Sequence, residues 1–152
     1  MTGSLSQSLQ RIEASPTSAM TDRAQALREA GKDIISLSVG EPDFATPPHV
    51  IAAAKAALDA GATRYTPVAG TSALRNAAAR HFSRDLGIET SPAHVIVSAG
   101  GKQALFEALV ATVSEGDEVI VPAPWWVSYP QMVRFAGGSV VKLATSAARG
   151  FR

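Results

Sequence analysis

The chain has 152 residues, 46% of them hydrophobic and 18% charged, which suits a globular domain of ordinary size and excludes a disordered polymer. A net charge of +1 gives no electrostatic case for nucleic-acid or membrane partners. With no cysteine, a disulfide framework and a thiolate metal site are both ruled out. Residues 1–13 mix small polar residues with single apolar ones and hold no hydrophobic run, so neither a signal peptide nor a membrane span is expected, and the default location is cytoplasmic.

From the front, residues 4–17 read as an arm whose Leu5, Leu9 and Ile12 need a surface to lie on. Ser15-Pro-Thr-Ser then opens a helix through about Ala30, with Thr17 or Ser18 as cap and Gly31 as the stop. Residues 33–39 have the composition of a strand. Thr46 before Pro47 is a cap and first-turn signature for a helix with Val50, Ile51, Ala54, Ala57 and Leu58 on one face, ending at Gly61. After a loop over 64–70, Thr71 caps a helix that runs to Gly87. Its spacing predicts Leu74, Ala78 and His81 or Phe82 inward, with Arg75, Arg80 and Arg84 outward. His81 reads as a half-buried packing residue, since His49 and His94 stand in no ligand spacing with it. No metal site is expected.

The most informative stretch is 94–109. Val95, Ile96 and Val97 are β-branched and suit a buried strand. From Lys102 onward Ala104, Leu105, Ala108, Leu109, Thr112 and Val113 recur at helical spacing. Gly100 and Gly101 lie at the join and remove every Cβ where the chain turns, baring the first amides of the helix. Such amides, with the positive end of the helix dipole behind them, bind anions and most often phosphate. Lys102 is unfavourable for that dipole, so a bound anion would relieve a local conflict. The same glycine pair also serves as a plain tight turn between strand and helix. A nucleotide P-loop is excluded, because Ile96 and Gln103 stand where it needs Gly and Ser or Thr. A dinucleotide fingerprint fails for want of a third glycine.

Further on, residues 118–121 form a short strand that the prolines at 122 and 124 stop, 125–129 lead into a helix, and 139–143 make another strand. Strands alternating with helices predict parallel pairing. Ligands in such sheets sit beyond the carboxyl ends of the strands, which marks Gly100 and Gly101 and the tryptophans 125 and 126. An aromatic ring there could cover a ligand ring whose phosphate the glycines hold, or could fill core or interface.

Four motifs stand in order: Ser38-Val-Gly-Glu-Pro-Asp-Phe44, Tyr65-Thr-Pro-Val-Ala-Gly70, Gly100-Gly-Lys-Gln-Ala-Leu105 and Pro124-Trp-Trp-Val-Ser-Tyr-Pro130. Together they resemble the N-terminal part of the class I pyridoxal-phosphate aminotransferases, nearest the bacterial aspartate type. The resemblance implies a three-layer α/β/α fold with a mainly parallel sheet, fold type I, here incomplete. Residues 1–46 would form an N-terminal arm and part of a small domain, and residues 47–152 the first part of a large cofactor-binding domain. It implies pyridoxal 5′-phosphate as cofactor, an amino-acid and a 2-oxo-acid substrate, and a homodimer.

Carried over by position, Gly100, Gly101 and Lys102 match the phosphate turn, and Trp126 matches the aromatic stacked on the pyridine ring. Gly40 matches the glycine whose N–H meets the substrate carboxylate, in a turn where a side chain would obstruct. Tyr65 matches the tyrosine that reaches a partner's cofactor phosphate. Where aspartate-type relatives can carry an arm lysine near the substrate's distal carboxylate, the match here is Glu13, of opposite charge. Transamination also needs a lysine to join the cofactor and move a proton. Of Lys32, Lys55, Lys102 and Lys142, none stands in the family's setting, so no catalytic residue is assigned. The expectation is an aminotransferase fragment, inactive alone. A carbon–sulfur lyase of the same fold and a non-catalytic remnant are the alternatives.

Overall fold

The computed structural model describes residues 5–152, so Ser4, at the head of the expected arm, lies outside the described residues. Packing divides the chain into two units, one built from residues 1–41 with 105–152 and one from 42–104.

The first unit contains the sheet. Strands β1 (Glu118–Ala123) and β2 (Ser139–Ala144) pair in parallel, Glu118 opposite Ser139 and Ala123 opposite Ala144, with helix α6 (Ser128–Ala136) as the connection. Parallel neighbours cannot be joined by a hairpin, so the intervening helix is what the expected topology requires. Strand β1 runs two residues past the expected end, through Pro122. Proline lacks only a donor, and Pro122 keeps its place opposite Leu143. Helix α6 ends at Gly137, whose φ of +103° is the left-handed cap, and the Gly138 N–H returns to the Val133 carbonyl at 3.0 Å. Val121, Met132 and Val133 form the buried centre, with Val133 only 1% exposed.

On this centre lies the arm. Ser6 caps the short helix α1 (Gln7–Gln10), the Glu13 N–H donates to Gln131 Oε1 at 3.1 Å, and Arg11 Nη2 stands 3.9 Å from Glu115. Helix α2 (Pro16–Glu29) is capped by Ser15 rather than Thr17 or Ser18, because Pro16 takes the first helical position and puts the cap two residues before Thr17. Residues 33–39 form no strand. A strand needs a neighbour, and here Ile35 and Leu37 stand 87% and 93% exposed, while Ser36 and Ser38 turn inward and their hydroxyls bond at 2.8 Å.

The second unit holds helices α3 (Pro48–Asp59) and α4 (Ser72–Leu86). Helix α3 starts one residue later than expected, with Pro47 at the cap position and no side-chain cap, and it buries none of its apolar face. Thr71 caps α4 by accepting from the Leu74 N–H, and Gly87 ends it with φ +66°. The packed face of α4 differs from the expected one. Arg75 donates from Nε to the Val95 carbonyl at 3.0 Å and from Nη2 to the Pro92 carbonyl, Ser83 pairs with Thr90, and Ala79 is buried between these positions. Carbonyls that no sheet partner claims draw the guanidinium inward, and Leu74, His81 and Phe82 are left outside.

The expected strand at 95–97 is likewise extended without a ladder. Its tie is the Val97 N–H to the Ala69 carbonyl, at 3.0 Å. Of the three strands expected after residue 90, two form the sheet among the described residues.

Candidate functional site

In the second unit the chain turns from residues 95–98 into helix α5 (Gly101–Thr112) through a glycine pair. Gly100 has φ +90°, a conformation that a Cβ would strain, and its N–H is held by the Ser98 carbonyl at 2.8 Å. Gln103 reaches back so that its Oε1 accepts the Ala99 N–H at 2.7 Å, which closes the turn from the helix side. The Ala104 N–H bonds the Gly100 carbonyl at 3.3 Å and starts the helical ladder. A Cβ built at Gly100 or at Gly101 would meet nothing within 4 Å, so the space before the helix head is open on that side. An open turn with a helix dipole behind it fits an anionic phosphate. The chain thus offers what the phosphate end of pyridoxal 5′-phosphate needs. Lys102 is exposed in the first turn of α5.

The loop before α4 is locked to this turn's approach. Gly70 has φ +103°, and a Cβ there would lie 2.5 Å from Val97 Cγ2, so only glycine lets the loop cross the extended segment. Tyr65, earlier in that loop, is fully exposed at 108%.

In the first unit β1 leads through a cis Ala123–Pro124 bond to the two tryptophans. Trp125 is half-buried and lies under Lys142 Nζ, 5.8 Å from its ring centre. Trp126 is exposed, and its ring meets Tyr129 edge-on at 5.4 Å and 83°. Gly40 is open too, and a Cβ there would meet no atom of the described residues within 4 Å.

Beside the arm, Ile12, Pro16, Phe106, Val127, Met132 and Phe135 line a cavity of about 220 Å³, with Glu13 at its wall and the two phenylalanine rings 5.1 Å apart. Sequence reasoning missed Gln103, although a side-chain acceptor four residues past Ala99 is a readable capping signal. It also missed Arg75 and Lys142, whose roles depend on carbonyls and a ring distant in sequence. The described residues contain no group of three or more histidine, aspartate or glutamate side chains able to hold a metal, and no helix long and apolar enough to cross a membrane.

A parallel βαβ unit, in a chain that also carries an open glycine turn at a helix head, defines a protein of the α/β class, built like the phosphate-binding members of that class. The chain belongs to the aminotransferase class I and II family, whose model matches residues 32–152. It is 51% identical over 148 residues to an aspartate/prephenate aminotransferase of Cereibacter sphaeroides, covering 97% of this chain and 37% of that protein. An aspartate/prephenate aminotransferase of Thermus thermophilus is 50% identical over 147 residues, with 97% and 38% covered. Among solved structures, the Thermus thermophilus aspartate aminotransferase with maleate superposes with a TM-score of 0.93 at 49% identity, over 98% of this chain and 39% of that one. The aspartate aminotransferase from Rhizobium meliloti gives 0.91 at 39% identity, over 99% and 38%. The chain therefore spans a little over a third of the length of these relatives. Its fold is the corresponding portion of the aspartate aminotransferase fold, the pyridoxal-phosphate fold type I.

Proposed function

We propose that this chain is the portion of a pyridoxal-phosphate-dependent aminotransferase that carries the phosphate turn and the ring-covering aromatic. The reaction moves an amino group between an α-amino acid, aspartate-like or aromatic, and a 2-oxo acid. The observation that supports this reading best is the open glycine turn at the head of α5, in a chain half identical along its length to proteins named aspartate/prephenate aminotransferase. The cofactor, when bound, supplies an aldehyde and an electron-accepting ring.

The chain's own residues then have distinct tasks. The open turn at Gly100 and Gly101 receives the phosphate at the head of α5, and Lys102 adds positive charge beside it. Trp126 covers one face of the ring and keeps water from it. The Gly40 N–H meets the substrate carboxylate, and Tyr65 serves the cofactor phosphate of a second copy of the chain. None of the four lysines has a place in these tasks that would join it to the cofactor, so the covalent and proton-moving lysine is not assigned within these 152 residues.

Gly101→Val tests the reading. Its Cβ and methyls would enter the open space before the helix head. Titration of the apo gene product with pyridoxal 5′-phosphate is expected to show at least tenfold weaker binding, and unchanged affinity would remove the phosphate assignment.

A further inference from the structure

The two adjacent tryptophans just past β1 have different partners. Trp126 is held from α6. Its ring meets Tyr129 edge-on, and its carbonyl accepts the Tyr129 N–H at 3.0 Å. From the other side, the Ala123 carbonyl accepts both the N–H and the hydroxyl of Thr145, just past β2. Between these two fastenings lies Trp125, with the Lys142 ammonium over its ring face. Lys142 stands in β2 opposite Val121, two residues before the Ala123 that Thr145 holds. A cation centred near 6 Å from an indole is attracted by the negative face of the ring.

We propose that Lys142 and Trp125 are positioning residues, whose cation–π pair pins the 124–127 turn to β2 and so fixes the direction in which Trp126 presents its ring. The mechanism is mechanical. With Trp125 drawn against β2, the next side chain is carried to the opposite side of the backbone, where Tyr129 supports it. Releasing Trp125 frees the turn to rotate between Ala123 and Ser128, and the Trp126 ring loses its fixed face. An exposed lysine that merely solvates the strand would leave Trp126 indifferent to residue 142. The functional consequence rests on the reading of Trp126 as the cofactor-covering residue; the coupling itself does not.

The test uses the intact gene product with 15N-labelled tryptophan, the two indole N–H signals being assigned with Trp125→Phe and Trp126→Phe. Lys142→Met keeps the stem and removes the charge. It is expected to move both indole signals and to speed hydrogen exchange at the Trp126 indole at least threefold, with the Val133 methyl signals unmoved. Trp125→Leu should give the same change at Trp126 from the other side of the pair, and Lys142→Arg should restore the parent spectrum. A Trp126 signal and exchange rate that ignore Lys142→Met and Trp125→Leu would overturn the proposal, as would Lys142→Arg behaving like Lys142→Met. Pyridoxal 5′-phosphate titrations separate the two readings. Coupled indole signals with cofactor affinity unmoved by both Lys142→Met and Trp126→Ala uphold the positioning and remove the cofactor role of Trp126.

Discussion

Gly138, between α6 and β2, is expected to tolerate no side chain, and alanine there measures how tightly the first unit is packed. Its φ is outside the left-handed region, so the cost comes from space. A Cβ would stand 2.6 Å from Val113 Cγ1, 3.2 Å from Val133 Cγ1 and 3.4 Å from the Asp117 carbonyl. The backbone cannot withdraw, because the Gly138 N–H is bonded to Val133 and the neighbouring Ser139 N–H to Asp117, at 3.0 and 2.8 Å. Val133 is buried, so Val113 must yield most of the distance. Forcing a methyl into such a site costs roughly 1–3 kcal/mol, and the approach to Val113 puts Gly138→Ala in the upper half of that range. Urea denaturation followed by circular dichroism measures the loss. Val113→Ala removes the clashing methyl, so the double variant should recover at least half of the added cost, a coupling that independent sites would not show. A Gly138→Ala protein within about 0.3 kcal/mol of its parent, inside the usual additivity error, would refute the packing argument.

Tyr65→Phe, at a side chain wholly open to solvent, should lower activity in a homodimer yet be partly complemented by a subunit inactive elsewhere; equal activity in mixed and unmixed samples would exclude a shared site. The 152-residue chain alone, given pyridoxal 5′-phosphate, an amino donor and a 2-oxo acid, should transfer no amino group. Borohydride reduction followed by mass spectrometry should find no stoichiometric label on its four lysines, and a single fully labelled lysine with measurable transfer would defeat this expectation. At the end of α4 the Arg84 guanidinium hydrogen-bonds Asp85, and His81 Nδ1 stands 2.8 Å from the same carboxylate. The bond from Arg84, opposed by desolvation and helped to a lesser degree by the charge on His81, holds the Asp85 carboxyl below its ordinary range. A depressed folded value stabilises at pH above the ordinary carboxylate value and is lost as pH falls through the depressed one. NMR titration should therefore show the Asp85 midpoint rising in Arg84→Met, and an unmoved midpoint would contradict the pairing.

Much of this was readable in advance wherever the signal is local. Thr71 and Gly87 bracket α4 because a cap hydroxyl and a left-handed glycine act within a few residues. The parallel β1–β2 pair followed from two apolar runs with a helix between them. What depended on partners was not readable. Residues 33–39 and 95–97 have strand composition, yet a strand is a relation between two segments, and these have no ladder, with Ile35, Leu37 and Ile96 left exposed. The inward turn of Arg75 follows from the same lack of sheet neighbours, since the carbonyls of Pro92 and Val95 take a guanidinium instead. At the candidate site the open turn at the glycine pair was readable from its missing Cβ atoms, which suit a phosphate or a plain tight turn alike. The roles given to Gly40, Tyr65 and Trp126 come from the resemblance alone, as a lone glycine or aromatic says little by itself.

The bond from the Glu13 amide to the Gln131 side chain spans 118 residues, and it sets a timetable for synthesis. A ribosome adding about 5–20 residues each second needs roughly 6–24 s to make the second partner after the first. During that interval the whole of residues 42–104 is made, while the arm, with Leu9 and Ile12, waits without the surface it will cover. A nascent chain stalled before Gln131 should therefore leave its front end open to protease and to chaperones, and one stalled well beyond Gly138 should have closed it.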